Sequence, residues 1–305
     1  MEQKSIKKPH TSSSAIETYL DRCGEYYRRK YIDRESFAPT SPMIKGSAVH
    51  AGAEENFKQK IDSHSDLPLS KIQEITAAAF DTRIKAEGYM LTSAEESIGS
   101  GIVLGRAKDR AVILSKIYTE EVAPLHQPVM VEQFQRIALN PDIDLLVKMD
   151  MVNDRKEIQD LKNRKRAMSQ AEVDSSLQFS LYGLAYRAIY KEDTAGVVVD
   201  MLIDGPKNAA YKQLVTRKDR NDYAKAIEKI NIFLFGVKAG VFLPAPKNAW
   251  YCNAEHCPAA RTCKYFQYYQ QGGGKQPVPF WMKFKKKGKT NGSDKVQDEN
   301  KFRKH

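Results

Sequence analysis

Long apolar runs, cysteines and internal repeats are scarce in this sequence of 305 residues. No apolar stretch approaches the ~18 residues that span a bilayer, and the longest ones lie near Val197–Ile203 and Ile230–Val237. Residues 1–14 lack an apolar signal core, which argues against secretion and predicts a cytoplasmic protein. With four cysteines in such a chain, we expect a metal site rather than two disulfides.

Acidic residues are outnumbered, with 38 Asp and Glu against 49 Lys and Arg, and the net charge is +11. This excess favours a polyanionic partner, with nucleic acid first and an anionic membrane surface second. Most of the excess lies in residues 271–305, where ten basic and three acidic residues give +7. That tail opens with three glycines and lacks periodicity, so we expect it to be mostly disordered. The remaining composition is that of a globular protein.

Hydrophobic periodicity predicts a helical first part and a mixed middle part. A capping box at Ser14 and Glu17 predicts the start of a first helix, and its apolar stripe includes Cys23. Asp219 is the predicted cap of the last long helix. Further helices are predicted over 45–61, 71–87, 102–122 and 170–190, with a loop at 99–101, and strands over 129–139, 143–152, 157–161, 196–203 and 211–216. This order predicts an α/β fold with a sheet flanked by helices.

An acidic pair is predicted near the ends of two neighbouring strands. Asp150 lies late in the second strand, and Asp160 and Lys162 share one face of the third because side chains alternate with period two. A tight hairpin brings the two carboxylates together, and their repulsion favours a divalent cation such as Mg²⁺ or Mn²⁺. Lys162 is then placed to hold a water or to offset phosphate charge. Ordinary surface charges are the alternative, since D-x-K is short and common.

Two further polar motifs lie on predicted helices. His50 follows Gly46 and is a candidate metal ligand, although a single histidine on a helix is more often structural. Gln178 and Tyr182 stand four residues apart and therefore face one side of their helix. We expect this pair to contact a DNA phosphate or to orient Lys162; a partly buried tyrosine with a polar neighbour is the plainer alternative.

The cysteines form a late cluster with one distant member. Cys252, Cys257 and Cys263 fall close together, whereas Cys23 belongs to the first predicted helix. Four thiolates suit Zn²⁺ or a [4Fe–4S] cluster, and His256 is an alternative to Cys23 if the metal is zinc. Either group would close the first helix onto the C-terminal segment.

The order of these motifs resembles the RecB-like branch of the PD-(D/E)XK nuclease superfamily over residues 12–266. It looks most like the members with an iron–sulfur cluster, the AddB-type nuclease domains and the CRISPR-associated RecB-like exonucleases, and phage-encoded relatives are of similar size. The motifs that carry the resemblance are Ser12 to Cys23, Tyr26 to Tyr31, Gly46-x-x-x-His50, Asp150, Asp160-x-Lys162, Gln178-x-x-x-Tyr182 and the three late cysteines.

The resemblance implies a restriction-endonuclease-like core of order α-β-β-β-α-β behind a helical N-terminal region. It implies metal-dependent exonuclease hydrolysis of DNA, with endonuclease action as a further option. The implied Mg²⁺ or Mn²⁺ ligands are His50, Asp150, Asp160 and the Leu161 carbonyl, and the implied catalytic set is Asp150, Asp160, Lys162, Gln178 and Tyr182. Asp144 shares a strand face with Asp150, but the ten-residue spacing to Asp160 fits one tight hairpin and selects Asp150.

The same resemblance implies that Cys23, Cys252, Cys257 and Cys263 hold a structural [4Fe–4S] cluster, with Zn²⁺ as the lesser option. It divides the chain into a flexible N-terminus over 1–11, one nuclease domain over 12–270 and the basic tail over 271–305. Linear DNA, single- or double-stranded, is the expected partner, with a helicase or recombination protein as a second one and no membrane. Recombination, repair or phage DNA processing in a bacterial or infected host cytoplasm is the expected setting.

Two other functions fit the sequence less well. One is a catalytically inactive DNA-binding protein with a nuclease fold and a structural Zn or Fe–S site, and the other is an RNA-binding zinc protein led by the tail. A basic segment flanks the proposed site and is expected to hold neighbouring phosphates, unless it is a solvated turn. Its members are Arg155, Lys156, Arg164, Lys165 and Arg166.

Overall fold

The structure, a computed structural model, describes residues 9–132, 134–205 and 208–270, so the basic tail lies outside the described residues. The helices are α1 Ser13–Glu17, α2 Gly24–Tyr27, α3 Ser41–Ser63, α4 Leu69–Glu87, α5 Ser93–Ile98, α6 Ser100–Ile117, α7 Gln170–Asp174, α8 Leu177–Tyr190, α9 Arg220–Lys238 and α10 Lys264–Gln270. The strands are β1 His10–Thr11, β2 Pro128–Val131, β3 Phe134–Ala138, β4 Asp144–Lys148, β5 Met151–Asn153, β6 Glu157–Arg164, β7 Gly196–Asp204 and β8 Ala209–Thr216. This order confirms the predicted α/β fold with a helical N-terminal region. None of the described helices is long and apolar enough to cross a bilayer.

The first predicted helix is two short helices, α1 and α2, each followed by a π-helical turn. Ser12 caps α1 by accepting the Ala15 N–H at 3.3 Å, so the predicted capping box that begins at Ser14 is wrong: the helix starts earlier. Cys23 leaves helical geometry with φ −153° and caps α2 by accepting the Tyr26 N–H on its sulfur at 3.3 Å. Cys23 therefore stands at a break between helices and not within a continuous apolar stripe.

Helices α3, α4 and α6 pack together as a helical layer. Helix α3 begins at Ser41, four residues earlier than predicted, because Pro42 occupies the first turn, where its missing N–H costs nothing. Gly52 allows α4 to approach α3, since a Cβ there would clash with Thr76 Oγ1. Gly99, with φ +98°, is the whole break between α5 and α6, so most of the loop predicted over 99–101 is helical.

The strands predicted over 129–139 and 143–152 are each interrupted, and their halves join different sheets. Strands β3 and β4 belong to a three-stranded sheet of order β1-β4-β3, whereas β2 and β5 belong to a five-stranded sheet of order β2-β5-β6-β7-β8. The breaks lie opposite each other at Glu132 and Asp150, where the Glu132 N–H donates to the Asp150 carbonyl at 2.9 Å. Both acidic residues therefore stand at the corner where the hairpin passes from one sheet to the other.

The five-stranded sheet is mixed, with β6 and β7 parallel and connected through α7 and α8. Pairing with β7 extends β6 to Arg164, three residues beyond its predicted end. The single helix predicted over 170–190 is broken after Asp174, which gives α8 an N-terminus of its own. Asp219 caps α9 as predicted and accepts the Asn221 and Asp222 N–H groups at 2.8 and 3.0 Å.

Side-chain alternation along β6 divides its residues between two apolar cores. The core on one face is built with α1, α8 and α9 and includes Ile16, Phe179 and Phe233. The core on the other face joins the sheet to the helical layer and includes Leu161 and Phe57. Asp160 and Lys162 consequently lie on the α8 side of the sheet.

A buried carboxylate, Asp200 of β7, organises a polar cluster on the helical-layer side of the sheet. It accepts hydrogen bonds from His126 Nε2 at 2.8 Å, Gln159 Nε2 at 2.9 Å, Tyr211 Oη at 2.6 Å and Gln213 Nε2 at 2.9 Å. Burial alone raises the pKa of Asp200, but these donors, His126 foremost, outweigh it and hold the pKa below its usual range. The cluster therefore stabilises the ionised form.

Candidate active site

The corner between the two sheets brings three potential metal ligands together. The donor atoms of His50, Glu132 and Asp150 all lie within 4.8 Å of one another, and this is the one such triad of His, Cys, Asp or Glu side chains in the described part of the chain. His50 reaches the corner from α3, and its Nδ1 lies 3.5 Å from Asp150 Oδ2. Two of the predicted ligands are thus adjacent, and Glu132 joins them.

Glu132 is a site residue that the sequence reasoning did not include. Its backbone is left-handed, with φ +53°, and this conformation interrupts the strand and places the side chain beside Asp150. The carboxylate is 8% exposed and pairs with Lys148. The one signal in the sequence is an acidic residue in the middle of a β-forming run.

Asp160 lies next to Asp150 through the β5–β6 hairpin. Met151 pairs with Gln159, so the following pair of positions is Asp150 and Asp160. The Leu161 N–H donates to Asp150 Oδ2 at 3.0 Å. The N–H and the carbonyl of a strand residue point to one side, so the Leu161 carbonyl also faces Asp150. Asp144, in contrast, lies in β4 and pairs with Arg136 at 3.1 Å.

The predicted Gln178–Tyr182 pair converges with Lys162 on one carboxylate oxygen. Asp160 Oδ1 accepts from Lys162 Nζ at 3.1 Å, from Gln178 Nε2 at 3.2 Å and from Tyr182 Oη at 3.2 Å. Gln178 Oε1 in turn accepts from Lys162 Nζ at 2.9 Å. The structure therefore brings Gln178 and Lys162 into direct contact, and the role of this pair in catalysis stays a prediction.

Burial dominates the electrostatics of this network. It raises the pKa of Asp160 above its usual range; Lys162 offsets this effect and the Asp150 charge adds to it. Burial also raises the pKa of Tyr182, with Asp160 as the next cause, so the phenol stays protonated and can only donate to that carboxylate. A cation nearby would therefore stabilise the ionised forms of the two close carboxylates, Asp150 and Asp160.

The residues present fit a divalent ion. Asp160 Oδ2 is buried and accepts no hydrogen bond, although Lys162 Nζ lies 2.9 Å away. Asp150, Glu132 and the Leu161 carbonyl offer further oxygen atoms, and His50 offers one imidazole nitrogen. Such oxygen-rich sets suit Mg²⁺ and Mn²⁺.

Glu17 of α1 approaches the lysine network from the other side. Burial raises the pKa of Glu17. The backbone N–H of Gln178, in the first turn of α8, lowers that pKa, and so does the nearby Lys162. This turn of α8 has no side-chain cap of its own. Glu17 therefore stabilises the start of α8, which carries Gln178 and Tyr182.

The basic segment expected to hold phosphates is divided by β6. Arg155 pairs with Glu157 at 2.9 Å and Lys156 with Glu192 at 2.7 Å, both at the β5–β6 turn. Residues 164–166 lie at the opposite end of β6 and are exposed. The two halves therefore do not form one continuous patch.

The four cysteines line one cavity of about 80 Å³, formed by the α1–α2 segment and residues 245–266. Burial raises the pKa of Cys23, Cys252 and Cys257, the last to about 11, and the neighbouring thiols add to these shifts. No three of their sulfur atoms lie within 4.8 Å of one another. His256 also lines this cavity, and its Nδ1 lies 2.9 Å from Asn253 Oδ1.

A match to one family model agrees with this arrangement. The family model described as the PD-(D/E)XK nuclease superfamily matches residues 10–264. A candidate exonuclease from Eubacterium rectale has a similar solved structure, with a TM-score of 0.49 and 14% identity over 88% of this chain and 93% of that chain. The protein SSO0001 is similar with a TM-score of 0.39 and 10% identity over 86% and 89%. No curated protein matches the sequence. The family match spans every residue of the corner site and all four cysteines.

Proposed function

The chain belongs to the PD-(D/E)XK nuclease superfamily, and we propose that it is a Mg²⁺- or Mn²⁺-dependent DNA exonuclease. The observation that carries the proposal is the convergence of an acidic metal triad with the Asp160–Lys162–Gln178–Tyr182 network at one sheet corner. We propose that it processes the ends of DNA during recombination, repair or phage DNA processing. The proposed setting is a bacterial or infected host cytoplasm, with a helicase or recombination protein as partner.

The proposed chemistry assigns distinct tasks to the side chains. His50, Glu132, Asp150, Asp160 and the Leu161 carbonyl would hold the ion. When bound there, a divalent ion lowers the pKa of water and neutralises charge on the scissile phosphate. Lys162 Nζ, held by Gln178, donates to the attacking water or to a phosphate oxygen as charge develops. Tyr182 and Gln178 keep Asp160 in place by donating to its Oδ1.

We further propose that the four cysteines hold a structural [4Fe–4S] cluster rather than Zn²⁺. Four thiolates around one zinc ion, at bonds of about 2.3 Å, lie only about 3.8 Å apart. Thiolates on the separate irons of a cluster lie further apart, and the cavity that the four cysteines line has room for more than one atom. The Tyr26 N–H donates to Cys23 Sγ at 3.3 Å, the kind of contact that tunes such clusters.

Digestion of end-labelled linear and circular DNA, each single- and double-stranded, tests the nuclease proposal. Wild-type protein should shorten linear DNA with Mg²⁺ or Mn²⁺, and Asp160→Asn should lower the rate at least about a hundredfold while DNA binding persists. Cleavage of circles would assign endonuclease action instead. Binding without hydrolysis under all conditions would favour the inactive DNA-binding alternative.

The cysteine proposal has a separate test. Protein purified without oxygen should be brown and contain about four irons per chain, and Cys257→Ser should lose both colour and thermal stability. Colourless protein with one equivalent of zinc would overturn the cluster assignment and leave the nuclease proposal standing.

A further inference from the structure

A phenylalanine and a lysine stand beside the metal triad on the small sheet. Phe134 is the first residue of β3 and pairs directly with Lys148 of β4. The Lys148 Nζ lies 5.3 Å from the centre of the Phe134 ring and also pairs with Glu132. One cation thus links a proposed metal ligand to an aromatic ring.

Phe134 is 61% exposed, although it is a large aromatic residue next to a polar site. Exposed apolar residues are common singly, so the exposure alone indicates nothing. Its position is what matters: Phe134 lies two positions after Glu132, and Lys148 lies two positions before Asp150. Lys148 pairs with Glu132 itself and lies over the Phe134 ring, so both residues stand beside a proposed metal ligand.

We propose that Phe134 and Lys148 form a nucleotide subsite, in which Phe134 stacks on an unpaired base and Lys148 binds the adjoining phosphate. This inference rests on the proposed function and adds a specificity-determining pair to it. An aromatic face accepts any base, provided that the base is not stacked within a duplex, and a lysine beside it matches the charge of the backbone.

The Lys148–Glu132 pair gives this subsite its charge balance. Lys148 pairs with the Glu132 carboxylate, and a divalent ion held by Glu132 would share that carboxylate with it. The Glu132 side chain is 8% exposed, so leaving its carboxylate without a cation would be costly. With an ion bound to that carboxylate, Lys148 could neutralise a phosphate instead. The lysine side chain is 42% exposed, so it can reach a bound strand.

Equilibrium binding of fluorescent oligonucleotides to the full chain, in Ca²⁺, tests the subsite without requiring hydrolysis. Phe134→Ala should raise the Kd for single-stranded DNA by about 5- to 150-fold, whereas Phe134→Trp should bind like the wild type. The Kd for a blunt duplex should change less than about twofold. Phe235→Ala, at a residue that is 76% exposed on α9, is the matched control and should change neither value.

Two further measurements separate stacking from a structural effect. A single abasic nucleotide at the stacking position should weaken wild-type binding as much as Phe134→Ala does, and it should add nothing in that variant. Lys148→Ala should weaken the binding of both single-stranded and duplex DNA. It should also reduce the slope of log Kd against log salt by about 1.

Equal Kd values for Phe134→Ala and Phe235→Ala on single strands, or an equal loss for single strands and duplexes, would overturn the subsite. Phe134→Leu, which keeps an apolar residue in β3, guards against misfolding and should bind single strands as weakly as Phe134→Ala. Because the readout is binding, an inactive wild type that still shows the base-dependent loss would refute the nuclease proposal alone.

Discussion

Replacement of Lys162 gives the most direct test of the active-site geometry. Its Nζ lies 2.9 Å from both Asp160 Oδ2 and Gln178 Oε1, and the side chain is 23% exposed. Lys162→Met keeps the length of the side chain and removes only the charge and its hydrogen bonds. We expect kcat to fall about 10²- to 10³-fold, as for loss of one well-placed transition-state donor. The Kd for Mn²⁺ should stay the same or tighten, because a competing cation has left the carboxylates.

The same variant should show a pH-dependent loss of stability in EDTA. Burial already raises the pKa of Asp160 and Lys162 lowers it, so removing the lysine raises the pKa further. A raised pKa means that the folded state binds more protons than the unfolded state, and stability then falls as pH rises through the titration. The difference between wild type and Lys162→Met should therefore be smallest at low pH, where only the hydrogen bond to Gln178 is lost, and should grow toward neutral pH by about 1–3 kcal/mol.

Single-turnover cleavage and urea unfolding across pH measure the two effects. Lys71→Met, at an exposed lysine of α4, serves as the matched control and should change both by little. Activity of Lys162→Met within about twofold of the wild type at saturating metal would refute the catalytic assignment. A stability difference that stays constant with pH would refute the argument about Asp160.

Further predictions concern stability and packing. Asp200→Ala should cost about 3–5 kcal/mol in the free energy of unfolding, because the buried donors of His126 and Gln159, and the less buried ones of Tyr211 and Gln213, lose their acceptor. Chemical denaturation measures this cost. The pKa of Asp200 is lowered on folding, so its contribution is present above the unfolded pKa and disappears as pH falls through the folded one. Asp200→Asn should consequently weaken the fall in the free energy of unfolding at acidic pH. An unchanged dependence on acidic pH would contradict the lowered pKa of Asp200. Gly24→Ala should cost about 1–3 kcal/mol, since its Cβ would lie 2.8 Å from the Leu243 backbone nitrogen. Gly46→Ala, in an α3 position with nothing within 4 Å, should instead add about 0.5–1 kcal/mol, and equal melting temperatures for the two variants would contradict this reasoning.

Local periodicity is what made part of the site predictable. Asp160 and Lys162 share a strand face, and Gln178 and Tyr182 share a helix face, because these relations depend on residues two and four positions apart. The Asp150–Asp160 proximity followed from the length of one hairpin. The structure places all five side chains accordingly.

Glu132 and Phe134 could not be placed from the sequence, because their positions depend on where a strand breaks. A continuous strand over 129–139 would give Glu132 no special position, and only its left-handed backbone and the change of sheet bring it to Asp150. The break before α8 has a similar origin, since Glu17 meets the new helix start across the fold. Such contacts are long-range and leave little trace in local composition.

The arrangement of the cysteines has a consequence for synthesis of the chain. Cys23 and Cys263 are 240 positions apart, yet both line one cavity. At translation rates of roughly 5–20 residues per second, Cys263 follows Cys23 by roughly 12–48 s. Cys23 therefore lacks its full set of partner cysteines throughout that interval. The group that the four cysteines hold can be bound by all of them only after the strands and the corner site have been synthesised. Loading of this site therefore follows synthesis of every residue of the corner site.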